Sequence, residues 1–210
     1  MISDFNFLIN KIISSDKLLP GPLAQRKMSP LPVNEDRFFF QEQSQIRNSA
    51  VLIALINATD NVYIPLIQRP VYKGAHSGQI SLPGGRKEPE DVDLKATALR
   101  EAMEEISLDP TKVKILRSMT KLYVPASKHM IFPFLGYIDH EVSLKPDKKE
   151  VDEILCWPVN DLFKETEWTI FKQYGLKVPY FNYKDKIIWG ATAMILSELK
   201  ELITLELSAD

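Results

Sequence analysis

One cysteine, Cys156, stands in a chain of 210 residues, so no internal disulfide can form. It sits in the apolar run Ile154-Leu155-Cys156-Trp157, where a buried thiol is expected. Histidine is scarce too: His76, His129 and His140 are scattered and show no zinc-ligand spacing. Positive charge is not in excess. With 26 Lys and Arg against 28 Asp and Glu, the net charge of −2 lacks the basic profile of a general nucleic-acid binder, although local cations can still hold a small anion. No apolar run approaches the roughly 18 residues that span a bilayer, so no membrane partner is expected. The first residues mix acidic and polar side chains into their apolar pattern, unlike a signal peptide. The closing Leu207-Ser208-Ala209-Asp210 is not a peroxisomal address, and the cytoplasm is the expected compartment.

The length suits one ordinary domain, or one domain with an appendage. Residues 1–45 read as that appendage, packed on a domain formed by residues 46–210. An amphipathic helix is expected over residues 3–19, with Phe5, Leu8, Ile9, Ile12 and Ile13 at helical spacing and Ser3 or Asp4 as cap. Pro20-Gly21-Pro22 ends it, and irregular structure follows. Ser49–Asn57 is a near-continuous apolar run, as for a strand buried on both faces, and Val62–Arg69 supplies its hairpin partner. Further strands are expected over 112–123, 130–138 and 150–159. A short helix is expected at 160–163, a hairpin around Gly175, and a final helix opening at Lys186. Residues 140–149 read as an exposed loop.

The informative stretch is 81–108. It opens on Pro83-Gly84-Gly85 and runs into helix formers, with Asp91 or Asp93 as cap and Pro110 beyond its end. Wound at about 100° per residue, Leu94, Ala98, Leu99, Ala102, Met103 and Ile106 share one side. Glu101, Glu104 and Glu105 gather in a separate arc, with Glu105 encroaching on the apolar edge. Like charges at these spacings destabilise a helix by about 0.2–0.5 kcal/mol per pair. A carboxylate turned toward a core costs more unless it is neutralised. A divalent cation removes both penalties, and hard oxygen ligands suit magnesium or manganese. Arg100 can hold one carboxylate in a forked hydrogen bond. A glycine turn lets backbone groups approach a metal-bound phosphate.

The stretch resembles the Nudix box, a glycine and a glutamate followed by Arg-Glu-apolar-x-Glu-Glu-x-Gly-apolar. Arg100, Glu101, Ala102, Glu104, Glu105 and Leu108 match its second half. Asp91 stands where the first glutamate belongs, with one extra residue before Arg100, and Ser107 replaces the last glycine. The extra residue is similar to the coenzyme A diphosphatase branch. So are Arg69, Gly78, Pro83, Gly84 and Gly85, which fit that branch's upstream signature; Gly74 stands where arginine is common and Leu82 where phenylalanine is. Ile188-Trp189-Gly190-Ala191-Thr192-Ala193 resembles the same branch near its C-terminus, and Glu150-Val151-Asp152-Glu153-Ile154 resembles its segment after the box.

The resemblance implies an α/β/α sandwich with a mixed sheet between helices and the box as loop–helix–loop. It implies Mg2+ or Mn2+ held by Glu101, Glu105, Glu104 and the Gly85 carbonyl. Glu104 or Glu101 would serve as base, beside Arg100 as a third catalytic residue. Arg69, His76, Gly78, Gly84 and Lys73 would bind substrate, and Glu150 or Glu153 would assist. The implied reaction is hydrolysis of the diphosphate in coenzyme A or acyl-CoA, by a monomer or homodimer. Two rivals are the same reaction on ADP-ribose, NADH, a nucleotide sugar or a damaged nucleotide, and a non-catalytic ligand-binding regulator of the same fold.

Overall fold

Strand β1 (Arg47–Asn57) sets the architecture. Ile53 and Leu55 point into one core, while Ala50, Leu52, Ala54 and Ile56 point into another. A strand buried on both faces needs cover on both sides. In the computed structural model, which describes residues 5–38, 46–59, 61–71, 77–171 and 175–208, helices provide it.

Ahead of β1 lie α1 (Phe5–Ser14) and α2 (Gly21–Arg26). After it come β2 (Val62–Gln68), β3 (Ile80–Ser81), β4 (Gly84–Arg86), α3 (Leu94–Ile106), β5 (Lys114–Ser118), β6 (Leu122–Val124) and β7 (His129–Ile138). The chain then forms β8 (Glu153–Pro158), β9 (Glu167–Phe171), β10 (Leu176–Tyr183), β11 (Lys186–Ile188) and α4 (Gly190–Leu207). The main sheet runs β3-β2-β1-β7-β5, with β4 also on β1, β6 on β7 and β8 on β2; β9, β10 and β11 form a smaller antiparallel sheet. It is a mixed sheet, because β7 runs parallel to β1 along Arg47–Ile56 while β2 and β4 run antiparallel. On the edge of β1 away from β7, β2 pairs at Ile56–Asn57 and β4 at Ser49–Val51. The glycine corner is thereby pinned where β1 and β2 part company.

Helix α3 covers one face through Ala98, Ala102 and Ile106; α1 and α4 cover the other through Leu8, Ile9, Ile12, Leu199, Leu202 and Ile203. Each fully buried large side chain here contributes about 1.5–3 kcal/mol. The arrangement is the expected α/β/α sandwich.

Several local expectations need correction. The first helix spans Phe5–Ser14 rather than 3–19; its expected caps, Ser3 and Asp4, lie outside the described residues. Gly21-Pro22 begins a helix as well as ending the segment before it, since proline at a first helical position lacks only an N–H that would have no partner there. The strand expected over 112–123 is interrupted: a 3-10 turn takes Pro110–Lys112, and β5 and β6 are separate. The strand expected over 150–159 starts at Glu153. Lys186–Ile188 is a strand paired with Phe181–Tyr183, and the helix begins only at Gly190, which turns the chain at φ +63°. Cys156 is exposed, because β8 alternates and turns Leu155 and Trp157 inward instead. Met103 is 57% exposed, so the apolar stripe of α3 is narrower than the arc read from its residues.

Candidate active site

The loop before α3 is zipped onto β1. Leu52 N–H donates to Pro83 O at 2.9 Å, and Lys87 N–H donates to Asn48 O at 3.0 Å. Gly84 has φ +154°, and a Cβ there would collide with Ala50 O, so only glycine fits. At Gly85 a Cβ would occupy the space of the Glu101 carboxylate; its absence brings that carboxylate against the corner. Helix α3 starts at Asp93, which accepts Ala96 N–H at 2.7 Å, and ends at Ser107 in the left-handed region at φ 56°. There serine costs about 1 kcal/mol against glycine. Its hydroxyl donates to Lys145 O at 3.1 Å, and Asp147 N–H bonds Glu105 O at 3.0 Å. Residues 140–149 thus lock the last turn of α3 rather than hanging free.

The three box glutamates have distinct settings. Glu105 is buried, accepts Gly84 N–H at 2.8 Å, and lies 3.7 Å from Arg69. Burial pushes its carboxyl up to about 7, and the nearby charges of Glu101 and Glu150 push the same way against Gly84 and Arg69. Glu101 is mostly buried and also raised, by burial first, although Arg100 at 3.1 Å opposes the shift. Glu104 is exposed and pairs with Arg100 at 2.8 Å. Glu150 adds negative charge to both Glu101 and Glu105, whereas Glu153 pairs with Lys186. Sequence had left these two undivided.

Arg100 is the hub. Its Nε donates to Asp91 Oδ1 at 2.9 Å and its Nη2 to Asp91 Oδ2 at 3.1 Å, so the fork expected on one of the helix glutamates falls on Asp91 instead, while Nη1 reaches Glu104. Asp91 also accepts Glu88 N–H at 2.9 Å and the Thr97 hydroxyl at 2.9 Å. These bonds, Arg100 foremost, hold its carboxyl well below the usual carboxylate range. Asp91 is a brace for the loop, and Asp93 is the cap.

Among the described residues no three acidic, histidine or cysteine groups converge on one point, because Arg100 and Gly84 hold the carboxylates. The donor set nevertheless fits a divalent cation. Glu101 and Glu105 are raised by burial and by the charge of neighbouring carboxylates, which a cation relieves, and Gly85 leaves the opening a side chain would fill.

Beside the corner lies a cavity of about 580 Å3. Arg69, Gly84, Gly85 and Arg86 border it, with Val51, Leu82, Ile131 and Trp189 as apolar wall. Arg69 is less free than its sequence position implied, since Nη2 reaches Gly84 O at 3.4 Å as well as Glu105. Gly78 turns the chain at φ +65° and does not line the cavity. Lys73 and His76, expected to bind substrate, lie outside the described residues. The loop after β6 borders the cavity through Ala126 and Ser127; a loop over residues 124–129, between two strands after the box, is placed by chain order to do so. Sequence reasoning missed Arg37, Arg86 and Ser49, and placed His129 near the pocket only as part of the 124–129 loop. Ser49 Oγ and His129 Nδ1 are 2.7 Å apart across the parallel β1–β7 pair. Only strand register joins residues so distant in the chain; Arg86, adjoining the two glycines, carried the one local signal.

A NUDIX domain matches residues 46–176. The chain belongs to the Nudix hydrolase family. Among curated Nudix relatives, the mitochondrial Nudix hydrolase 15 of Arabidopsis thaliana is 34% identical over 82% of this chain and 62% of its own length, so the chain covers less than two thirds of it. The peroxisomal coenzyme A diphosphatase of Mus musculus is 31% identical, over 76% of this chain and 71% of its own. Two solved Nudix-fold structures resemble it in fold alone. An Ap4A hydrolase of C. elegans has TM-score 0.52 and 13% identity, covering 76% of this chain and 98% of its own. A MutT protein from Methanosarcina mazei has TM-score 0.51 and 15% identity, covering 77% and 99%.

Proposed function

We propose that this Nudix chain hydrolyses the diphosphate bond of coenzyme A or an acyl-CoA, giving (acyl-)4′-phosphopantetheine and adenosine 3′,5′-bisphosphate. The observation that carries the reading is a pair of charge-crowded carboxylates, Glu105 buried and Glu101 mostly so, behind a glycine corner that opens on an apolar-walled cavity. The choice of coenzyme A leans on the Arg69–Gly85 signature and on the name of the mouse relative.

Glu101, Glu105 and the Gly85 carbonyl, with Glu104 within the same turn, are the groups that would hold Mg2+ or Mn2+. Such a cation neutralises diphosphate charge and acidifies water. The protein's own part is positioning. Arg69 and Arg86, which line the cavity with Gly84 and Gly85, draw in the anionic diphosphate. Arg100, fixed by Asp91, orients Glu101 and Glu104, either of which takes the proton of the attacking water. Glu150, facing Glu101 and Glu105, is the glutamate beyond the box that we assign to assist. His76 and Lys73 remain assigned to substrate on the resemblance.

The reading takes a small-molecule substrate, no nucleic-acid or membrane partner, a monomer or homodimer, and the cytoplasm. Among the described residues no helix is long and apolar enough to cross a membrane. Phosphorus-resolved product analysis with coenzyme A and magnesium tests the reaction. Release of 4′-phosphopantetheine supports it; turnover of ADP-ribose tenfold above that of coenzyme A overturns the substrate.

A further inference from the structure

Arg37 closes a 3-10 turn, Glu35–Arg37, that Asn34 caps by accepting Asp36 N–H at 3.0 Å. The turn packs on β6, and its last side chain reaches the cavity wall near α4, where Nη1 lies 4.0 Å from Met194 Sδ. Two described carboxylates, one on its own turn and one on α4, are engaged elsewhere. Glu35 is taken by both terminal nitrogens of Arg26. Glu198 of α4 accepts Gly21 N–H, Gln25 Nε2 and Thr120 N–H. Among the described residues no carboxylate pairs with Arg37.

Burial opposes its charge and lowers its pKa. A partly buried guanidinium facing a thioether instead of an anion is unfavourable for the free protein, where an apolar side chain would pack better. Placed on a cavity that also opens on the glycine corner, the same group is a ready anion site, with a planar fork that matches phosphate. Arg69 and Arg86 already serve the diphosphate end. Arg37 lines the cavity against Met194 of α4, whereas Arg69 contacts Gly84 and Glu105 at the glycine corner.

We infer that Arg37 is a specificity residue, binding a phosphomonoester that the substrate carries apart from the diphosphate under hydrolysis. The inference rests on the coenzyme A reading, in which that group is the 3′-phosphate of the adenosine. An Arg37 contact of this kind selects coenzyme A over its 3′-dephospho form and is made equally before and during reaction, so it acts on KM and not on kcat.

The test compares Arg37→Met with wild type on coenzyme A and 3′-dephospho-coenzyme A. Loss of one charge-assisted pair should raise KM for coenzyme A about 10- to 30-fold, with kcat within about twofold. Kinetics on the dephospho form should not change, and Arg37→Lys should recover part of the loss. An equal change on both substrates, or none on either, overturns the inference. Calorimetry on wild type needs no variant to fold: adenosine 3′,5′-bisphosphate should bind about tenfold tighter than 5′-AMP, and equal affinity overturns it. Wild type that cleaves ADP-ribose but neither coenzyme A form would instead sink the substrate reading, and calorimetry would still decide on Arg37.

Discussion

Two glutamates are buried to the same degree, Glu105 at 1% exposure and Glu198 at 0%, yet they are built for opposite ends. Glu198 accepts Gln25 Nε2 at 2.9 Å and the N–H groups of Gly21 and Thr120 at 3.3 Å. All are neutral donors, and together they tie α2 and the loop before β6 to α4. Glu105 has one backbone donor, a more distant arginine, and the charges of Glu101 and Glu150 facing it. Burial raises both carboxyls, so a shifted pKa alone does not separate them. What separates them is the company: Glu198 is matched by neutral donors, as a brace is, whereas Glu105 meets crowded like charge, which is why we assign it to a cation.

The largest effect should come from Glu105→Gln. Amide oxygen can still accept Gly84 N–H, but the charge is gone; kcat should fall about a thousandfold or more, since metal stabilisation is worth several kcal/mol. In chelator its Tm should hold or rise, because a crowded buried charge has been removed. Activity within tenfold of wild type would break the distinction. Next comes Gly85→Ala, whose methyl displaces the Glu101 carboxylate. With the fold retained by circular dichroism, kcat should drop about 100-fold, as a small misplacement at a reacting centre does; an unaffected kcat would remove Glu101 from the site. Glu198→Ala inverts the pattern. Leaving its neutral donors unpaired should cost about 2 kcal/mol in denaturant titration, with kcat at low temperature within about twofold.

This contrast explains what could be read from the chain. The run Ala50–Ile56 announced a doubly buried strand, and the spacing of Glu101, Glu104 and Glu105 announced the site, because both signals are local and periodic. Glu105 pressing on the apolar edge was legible as an oddity, and its burial bears that out. Lys186–Ile188 was not legible as a strand, since a short apolar run fits either period until β10 is seen beside it. Cys156 looked buried because its neighbours are apolar, yet alternation along β8 turns it outward. Arg37, and Ser49 as the partner of His129, reach the cavity only through long-range packing, which no window of sequence contains.

The smallest predicted effect sharpens the comparison from a third carboxylate. Asp91 is buried like Glu105 but paired with Arg100, so its folded pKa lies below the unfolded value of about 3.9. A depressed carboxyl contributes stability that is fully present above its unfolded pKa and lost as pH falls through the folded one. The wild-type Tm should therefore decline as pH drops below about 4, and Asp91→Asn, which has no such proton to take up, should decline less over that window. Near neutral pH the variant should be the less stable, having lost the ionic partner of Arg100. Parallel Tm curves across the acid range would mean that Asp91 is not the brace its four bonds describe. The loop from Gly85 to Asp93 would then owe its shape to β1 alone.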